Sequence, residues 1–362
     1  MSGRLDLRRG IVVSADPLVV EVDGSERRAW ADEVLLGEMR AGDEVVVNAV
    51  ALDLDLGSGG FDVVHINLTR GLRGGMEGDA HVMKLNYTSL QHPVEPVEGE
   101  KALDSDGNST RGPLADDEAR PSLPVAVLPL HGHLAPAAWA VSQARPGMRV
   151  GYVQTAGGAL PGSLSRDVAE LRERGLLAGH VTAGPSYGGE YEALSTVGAL
   201  DAAAALGWDV ALVGPGPGII GSDTRFGHGG MAALDSAHAA LSLKLRTILS
   251  PRVSSGDPRA RHRGLSHHTA TVLDLLLAPV TVAIPAGAPE LASQVSAASL
   301  GLHRVEPVPV DLEGYASSGL PAKTMGRALA DDPLFFEAPL AAGTLLASPA
   351  GGTLGGTLPR KL

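Results

Sequence analysis

The chain of 362 residues contains no cysteine, and this absence excludes disulfide bonds, thiolate nucleophiles and cysteine-ligated zinc or iron–sulfur centres. Lysine is also scarce and occurs only at Lys84, Lys101, Lys244, Lys323 and Lys361. The sequence has no P-loop, whose Gly-rich segment ends in Gly-Lys-Ser or Gly-Lys-Thr. Since no lysine follows a predicted core strand, a pyridoxal Schiff base is not expected.

A basic excess and a long apolar run are missing as well. The chain has 29 Lys and Arg against 41 Asp and Glu, a net charge of −12, whereas general nucleic-acid binding needs a basic face. No apolar run reaches the about 18 residues of a membrane span. The charged N-terminus MSGRLDLRRG lacks the apolar stretch of a signal peptide. We therefore expect a soluble cytoplasmic protein without nucleic-acid or membrane partners.

One pattern recurs six times between Leu123 and Pro285: a short apolar run that ends in Gly, Pro, His, Ser or Thr. The runs are PVAVLPLHGH, MRVGYVQTAGG, LLAGHVTAGPSYGG, DVALVGPGPGIIG, RTILSPRVSSGD and PVTVAIPAG. Helical patterns follow at 134–144, 164–174, 190–206, 230–249, 266–277 and 289–300. This alternation predicts βα units and a doubly wound parallel sheet. HRVEPVPV is a candidate seventh strand at the sheet edge, because its prolines cannot serve a central ladder.

The N-terminal region has a different pattern, with short alternating runs separated by turns. These runs are RGIVVSA, LVVEVDG, RRAWAD, DEVVVNAVALDL and FDVVHINLT, with HVMKLNYTSLQ as a candidate sixth strand. They predict a small antiparallel β-rich domain, either barrel or sandwich. The predicted organisation is a barrel-like domain at 1–92, an acidic Pro-rich linker or long loop at 93–122, a Rossmann-like α/β domain at 123–340 and a Gly-rich tail at 341–362.

Ligands of doubly wound sheets bind outside the carboxyl ends of the strands, which is where the candidate site residues fall. His131 and His133 form a His-x-His motif after the first strand. On an extended segment both imidazoles point to one side, as a transition metal requires. The alternatives are a non-metal role in the site and hydrogen bonds to the loop backbone. No set of four well-spaced His and Asp ligands is identifiable, so we predict no tight structural metal.

Ser186 lies in a G-x-S-x-G pattern between a predicted strand and a predicted helix, the context of a nucleophile elbow. Ser186 would be the nucleophile of a serine hydrolase. Its general base would be His267 or His268, and the acid that orients this histidine would be Asp223 or Asp257. A glycine turn before a helix, containing Gly188 and Gly189, is the alternative, and Pro185 is unusual in an elbow.

The glycine-rich turn after the fourth strand is a candidate phosphate loop, since backbone amides near a helix N-terminus bind anions. Pro215 and Pro217 remove two amides from this turn, so a wide rigid loop describes it better. The glycines after the second strand are candidate ligand contacts. His228 precedes the next helix and is placed to reach the site. The glycines concerned are Gly157, Gly158, Gly214, Gly216 and Gly218.

The segment SPRVSSGDPRARHRGLSHHT concentrates positive charge in an acidic protein. It holds Arg252, Arg259, Arg261 and Arg263 together with His262, His267 and His268. Arginine presents a fork that matches carboxylate and phosphate. Ser266 is the predicted N-cap of a helix whose first turn attracts anions and keeps its histidines neutral. In the alternative, the arginines pair with acids such as Asp257 or Glu173.

Five segments resemble a known family: LDLGSGGFDVVHINLTRG, GYVQTAGGALPG, GPSYGGEYEA, DVALVGPGPGIIGSDTRFGHGG and DPRARHRGLSHHT. They are similar to a family of bacterial proteins catalogued only as a domain of unknown function, the 3866 family, and the resemblance covers nearly the whole chain. It implies no activity and no catalytic residue, so the site predictions rest on the residues alone.

The predicted function is the binding of an anionic or phosphorylated small molecule by an enzyme of unknown reaction, either transferase or hydrolase. A non-catalytic metabolite sensor or protein-binding module is the first alternative, and a serine hydrolase the second. No cofactor can be named, and a homo-oligomer stays open. Catalytic roles are predicted for His131, His133, Ser186, His228 and His267. Ligand contacts are predicted for Gly157, Gly158, Gly188, Gly189, Gly214, Gly216, Gly218, Ser254, Arg259, Arg261, Arg263, Ser266 and His268.

Overall fold

The structure is a computed structural model that describes residues 5–55, 59–72, 80, 82–98, 123–222 and 224–349. The chain divides into two compact units, Met1–Val94 and Glu95–Leu362. Most of the predicted linker at 93–122, the end of the predicted tail and Asp223 lie outside the described residues. Within the described part of the chain, no helix has the length and apolar content needed to cross a membrane.

Unit 1 contains a closed five-stranded barrel, which confirms the predicted β-rich N-terminal region. Its strands are β1 (Leu7–Ala15), β2 (Leu18–Val22), β3 (Ser25–Trp30), β4 (Glu44–Asn48) and β5 (Asp62–Asn67), in the order β1-β2-β3-β5-β4. The parallel pairing of β3 with β5 closes a barrel whose other pairs are antiparallel. Alternating valines fill its core. The short helices are α1 (Glu33–Leu36) and α2 (Val50–Asp53), and a separate hairpin joins β6 (Val82–Lys84) and β7 (His92–Val94).

Unit 2 is built on an eight-stranded parallel sheet, which confirms the predicted doubly wound fold. The sheet order is β11-β10-β9-β12-β8-β13-β16-β17. These strands are β8 (Val125–Val127), β9 (Val150–Thr155), β10 (Gly179–Ala183), β11 (Tyr191–Ala193), β12 (Val210–Pro215), β13 (Thr247–Leu249), β16 (Thr281–Pro285) and β17 (Arg304–Val308). Two small antiparallel pairs join β14 (Val253–Ser254) to β15 (Gly264–Leu265) and β18 (Lys323–Thr324) to β19 (Arg327–Ala328).

Helices cover both faces of this sheet, so its strands are buried on both sides and have continuous apolar sequences. Val125 and Val127 face one core while Ala126 faces the other. The helices on the first face are α5 (Thr196–Ala203), α6 (Ala232–Ser242), α7 (His267–Leu275) and α8 (Glu290–Ala298). Those on the second are α3 (Leu134–Ala144), α4 (Arg166–Glu173), α9 (Leu312–Ala316) and α10 (Pro333–Leu346).

Two element boundaries differ from the sequence prediction. Helix α5 begins at Thr196 and not at residue 190, because residues 191–193 pair with β10 as the edge strand β11. The predicted boundary at residue 340 falls inside α10, whose buried face packs on α3.

The strand order fixes where a ligand crevice can form. The chain leaves β9 toward β10 but leaves β12 toward β13, so the connections after these adjacent strands diverge. The same divergence separates β8 from β13. Such reversals open crevices at the carboxyl ends of the strands. The predicted site residues follow these strands.

Candidate functional site

The crevice between β9 and β12 is filled by the chain's own backbone. A Cβ atom on Gly158 would lie 2.1 Å from the carbonyl oxygen of Gly216, and one on Gly216 would lie 2.3 Å from that of Ala159. The Ala159 amide donates to the Pro217 carbonyl at 2.6 Å. The structure thus brings the glycine-rich loops after β9 and β12 together, and their glycines allow the close approach of one loop to the other.

The remaining glycines of the predicted loops have comparable backbone roles. A Cβ on Gly157 would meet the Gly229 carbonyl oxygen at 2.6 Å, and one on Gly214 would meet that of Leu128 at 2.8 Å. Gly188 and Gly218 have positive φ angles of 75° and 72°, which favour glycine in a turn. A Cβ on Gly189 would lie 2.9 Å from the Thr182 amide nitrogen. Packing and turn geometry therefore account for these glycines without a ligand.

His131 braces the loops after β8, β9 and β12. Its Nδ1 lies 3.2 Å from the Pro215 carbonyl oxygen, which can only accept, so Nδ1 carries the proton. Its Nε2 then accepts from the Ser165 hydroxyl at 2.7 Å. Burial lowers the pKa of His131, and the nearby Asp167 carboxylate opposes that shift. With both ring nitrogens bound to the protein, His131 has a structural role in this conformation.

His133 points away from His131, which corrects the expectation that both imidazoles share one side. The segment His131–His133 is a 3₁₀ turn and not an extended strand, so residues two apart lie on different sides of it. His133 contacts the Ser250 hydroxyl at 3.0 Å through Nδ1 and meets the Phe335 ring edge-on. Burial and the charge of Arg252 lower the pKa of His133 to about 3. It is a neutral core histidine.

The nucleophile-elbow prediction does not fit the structure. Ser186 is fully buried at 0% exposure, and the turn that holds it leads into strand β11 where an elbow leads into a helix. Asp257, one candidate orienting acid, accepts two hydrogen bonds from Arg259. The local pattern is matched, but the surrounding elements that an elbow needs are different.

Four histidines meet at the N-terminus of α7, and we call them the histidine cluster: His228, His262, His267 and His268. The rings of His228 and His268 stack with centroids 3.7 Å apart, and His262 lies 5.0 Å from both His267 and His268. Ser266 is the N-cap of α7 as predicted, accepting from the His268 amide. It also bonds His262 Nδ1 at 2.7 Å.

Three members of the histidine cluster, His228, His262 and His268, are held neutral. Burial and the positive charge of Arg252 lower the pKa of His262 to about 3 and that of His268 to about 2. Burial also lowers the pKa of His228. Arg252 itself is buried and donates from Nη1 to His268 Nδ1 at 2.9 Å. Burial and the neighbouring Arg259 lower its pKa to about 10, so it stays charged at neutral pH.

Beside this cluster, buried carboxylates take up part of the arginine charge. Asp257 accepts from Arg259 Nε and Nη2 at 2.9 and 2.8 Å, and this pairing lowers its pKa strongly. Arg263 donates to the Asp257 carbonyl oxygen at 2.9 Å. Ser254 donates to Asp332 at 2.6 Å. Pairing with Asp257, the alternative to an anion clamp, is therefore the observed arrangement for Arg259.

Arg261 and His267 instead line an open groove of about 590 Å³ at the surface of unit 2. Arg225 and Asp274 lie in the same groove and form an exposed ion pair. The lining residues are Arg225, Arg261, His267, Ala270, Thr271, Asp274 and Ala298. The groove and the histidine cluster share His267. A ligand role for Arg261 and His267 stays a prediction.

Sequence reasoning missed several residues that shape this region. Ser165, Tyr152 and His180 surround His131, and the His180 ring stacks on Tyr152 with centroids 5.3 Å apart. Asp332 and Arg327 complete the network around Asp257. Ser165 had a detectable signal, since it is an N-cap two residues before an acid at the start of α4. Asp332 had none, because it reaches Ser254 across 78 residues of chain.

Fold and site together define a class of protein. It has a doubly wound α/β unit with a histidine–arginine cluster at the carboxyl end of its sheet. The chain matches the family model described as "Protein of unknown function (DUF3866)" over residues 28–343. The chain therefore belongs to this family, as its motifs indicated. A comparison with curated proteins gives no match. The family description states no activity.

Proposed function

We propose that unit 2 binds a small molecule carrying a phosphate or carboxylate group in the open groove. The supporting observation is that Arg261 and His267, the latter in the first turn of α7, line one groove with Arg225. A guanidinium recognises such anions through two parallel hydrogen bonds. The first turn of a helix adds favourable electrostatics.

The charge of the groove supports the same proposal. Among the described residues that line the groove, the charged side chains are those of Arg225, Arg261 and Asp274. The side chains of Arg225 and Asp274 are 55% and 44% exposed. An exposed ion pair contributes about 1 kcal/mol or less, so an incoming anion can replace Asp274 on Arg225 at small cost.

The open groove favours binding or sensing over catalysis. Arg225 is ion-paired, and the groove does not enclose a substrate away from water. Two predicted catalytic groups, His133 and Ser186, are buried in the protein interior. The transferase or hydrolase alternative would need reacting groups that face the groove, and His267 is the predicted catalytic residue that does.

A thermal-shift assay on the metal-stripped full chain tests the proposal. The panel contains sulfate, inorganic phosphate, phosphorylated sugars, nucleotides and dicarboxylates. At least one anion should raise the melting temperature by mass action. Arg261→Ala should reduce the increase, because weaker binding gives less stabilisation at the same anion concentration. Arg304→Ala is the matched control, because Arg304 is exposed, ion-paired with Glu306 and not among the residues that line the groove. A flat panel, or an increase of unchanged size in Arg261→Ala, would overturn the proposal.

A further inference from the structure

We propose that His228, His267 and His268 form a binding site for a divalent transition-metal ion, independent of the anion proposal. One ring nitrogen from each residue lies within 4.8 Å of those of the other two. Imidazole nitrogen suits Zn²⁺, Co²⁺, Ni²⁺ and Cu²⁺. Three imidazoles leave a fourth position open, as in zinc sites that bind water or a ligand group.

The hydrogen bonding of His228 leaves one nitrogen ready for a metal. His228 Nε2 lies 3.0 Å from the Arg225 carbonyl oxygen, which can only accept, so Nε2 carries the proton. The lone pair is then on Nδ1. This atom is buried and has no hydrogen-bond partner among the described residues. A backbone carbonyl that holds the far nitrogen is the usual arrangement around a ligating histidine.

Gly230 keeps space free beside two of the ligand atoms. A Cβ on Gly230 would lie 3.0 Å from His228 Nδ1 and 3.4 Å from His268 Nδ1. A side chain there would fill the volume next to both nitrogens. His228 comes from the extended residue before a 3₁₀ turn, whereas His267 and His268 come from the first turn of α7. The site thus joins two elements across the end of the sheet.

Arg252 is the competitor for this site. It donates to His268 Nδ1 at 2.9 Å and so occupies the lone pair that a metal would take. Its other nitrogen, Nη2, lies 3.9 Å from Asp257 Oδ2. A metal ion therefore displaces the guanidinium toward Asp257. Shortening this side chain in Arg252→Gln removes both the competing donor and a like charge, and should strengthen metal binding.

A Co²⁺ titration of the metal-stripped full chain in phosphate-free buffer, followed by visible absorption, tests the inference. We expect about one Co²⁺ per chain, displaced by Zn²⁺. His228→Gln and His267→Gln should each weaken binding by about tenfold or more, since even loss of an outer partner costs that much. His238→Gln on α6 is the matched control and should bind as the wild type does.

Gly230→Ala supplies a variant that keeps all the histidines, and circular dichroism checks that each variant is folded. It should weaken Co²⁺ binding, because its methyl group enters the volume beside His228 Nδ1. Absence of stoichiometric Co²⁺ binding by the wild type would overturn the inference. Equal affinity in the wild type, His228→Gln and His267→Gln would also overturn it. Because phosphate is absent here and metal is absent from the anion assay, each proposal can fail alone.

Discussion

The imidazole of His228 lies parallel to that of His268, with an interplanar angle of 6° and ring centroids 3.7 Å apart. Two rings stacked beside the buried guanidinium of Arg252 are stable only while both are uncharged, and burial lowers both pKa values. The lone pair of an imidazole nitrogen lies in the plane of its ring, so two stacked rings hold their lone pairs in parallel planes. One metal ion can accept a lone pair from each ring only if the rings turn out of the stack.

Zinc loading should therefore change the three proposed ligand rings selectively. On addition of Zn²⁺ we expect the ring nitrogen signals of His228, His267 and His268 to move in NMR spectra of the ¹⁵N-labelled chain. Those of His133 and His180, buried elsewhere in unit 2, should stay in place. Equal movement of all the histidine signals would indicate non-specific binding or unfolding.

Acid should destabilise the protein through its buried histidines. Burial lowers the pKa of His180 to about 3, against about 6.5 in the unfolded chain. Between these two pH values the unfolded state binds one more proton at this residue than the folded state does. The free energy of unfolding therefore decreases by about 1.4 kcal/mol for each unit by which the pH is lowered. Above about pH 6.5 the contribution is constant. Urea unfolding measured between pH 7 and pH 4 should show a weaker dependence of the unfolding free energy on pH in His180→Gln than in the wild type. The same pH dependence in both would contradict this prediction.

The buried carboxylate of Asp257 should matter far more to stability than the exposed one of Asp274. Asp257→Asn leaves Arg259, Arg252 and Arg327 without their shared partner, and breaking a buried pair costs roughly 3–5 kcal/mol. Asp274→Asn removes only an exposed pair, at about 1 kcal/mol or less. Chemical denaturation of both variants measures the difference. Similar costs for the two would refute the bracing role of Asp257.

Gly158→Ala should destabilise the protein without changing anion affinity. The added methyl group meets the Gly216 carbonyl oxygen at 2.1 Å, and overpacking of this kind costs about 1–3 kcal/mol. Gly287→Ala, where a Cβ meets nothing within 4 Å, is the control and should stay within about 0.5 kcal/mol. A loss of anion affinity in folded Gly158→Ala would indicate that the glycine loops take part in anion binding and would contradict this prediction.

The parallel strands were predictable because burial on both faces requires continuous apolar runs, as in β12 and β16. The N-cap at Ser266 was predictable because capping is local. The orientation of His133 was not, since a 3₁₀ turn and a strand end share the same sequence pattern. The pairing of His228 with His268 was not predictable either, because only the folded sheet brings together residues 40 positions apart.

The same limit applies to the arginines. Their concentration was visible in sequence, but which of them meets a buried acid depends on the backbone between Ser254 and Arg263. There the buried Asp257 side chain, at 0% exposure, accepts hydrogen bonds from Arg259, whose own side chain stays 45% exposed. Arg261 lies in the groove. The sequence therefore predicted an arginine-rich site but not the division of its members between bracing and binding.

Isothermal titration of the metal-free chain with the anion that gives the largest thermal shift tests the central claim most directly. We expect one anion per chain. Arg261→Ala should weaken binding roughly tenfold, since a charge-assisted hydrogen bond contributes about 1.5–3 kcal/mol. Asp274→Asn should strengthen binding, because it frees Arg225 and removes a carboxylate that lines the groove. The predicted result is that the anion affinity decreases in Arg261→Ala, increases in Asp274→Asn and stays unchanged in Arg304→Ala. Equal affinity in all the variants, or no binding at all, would contradict the account.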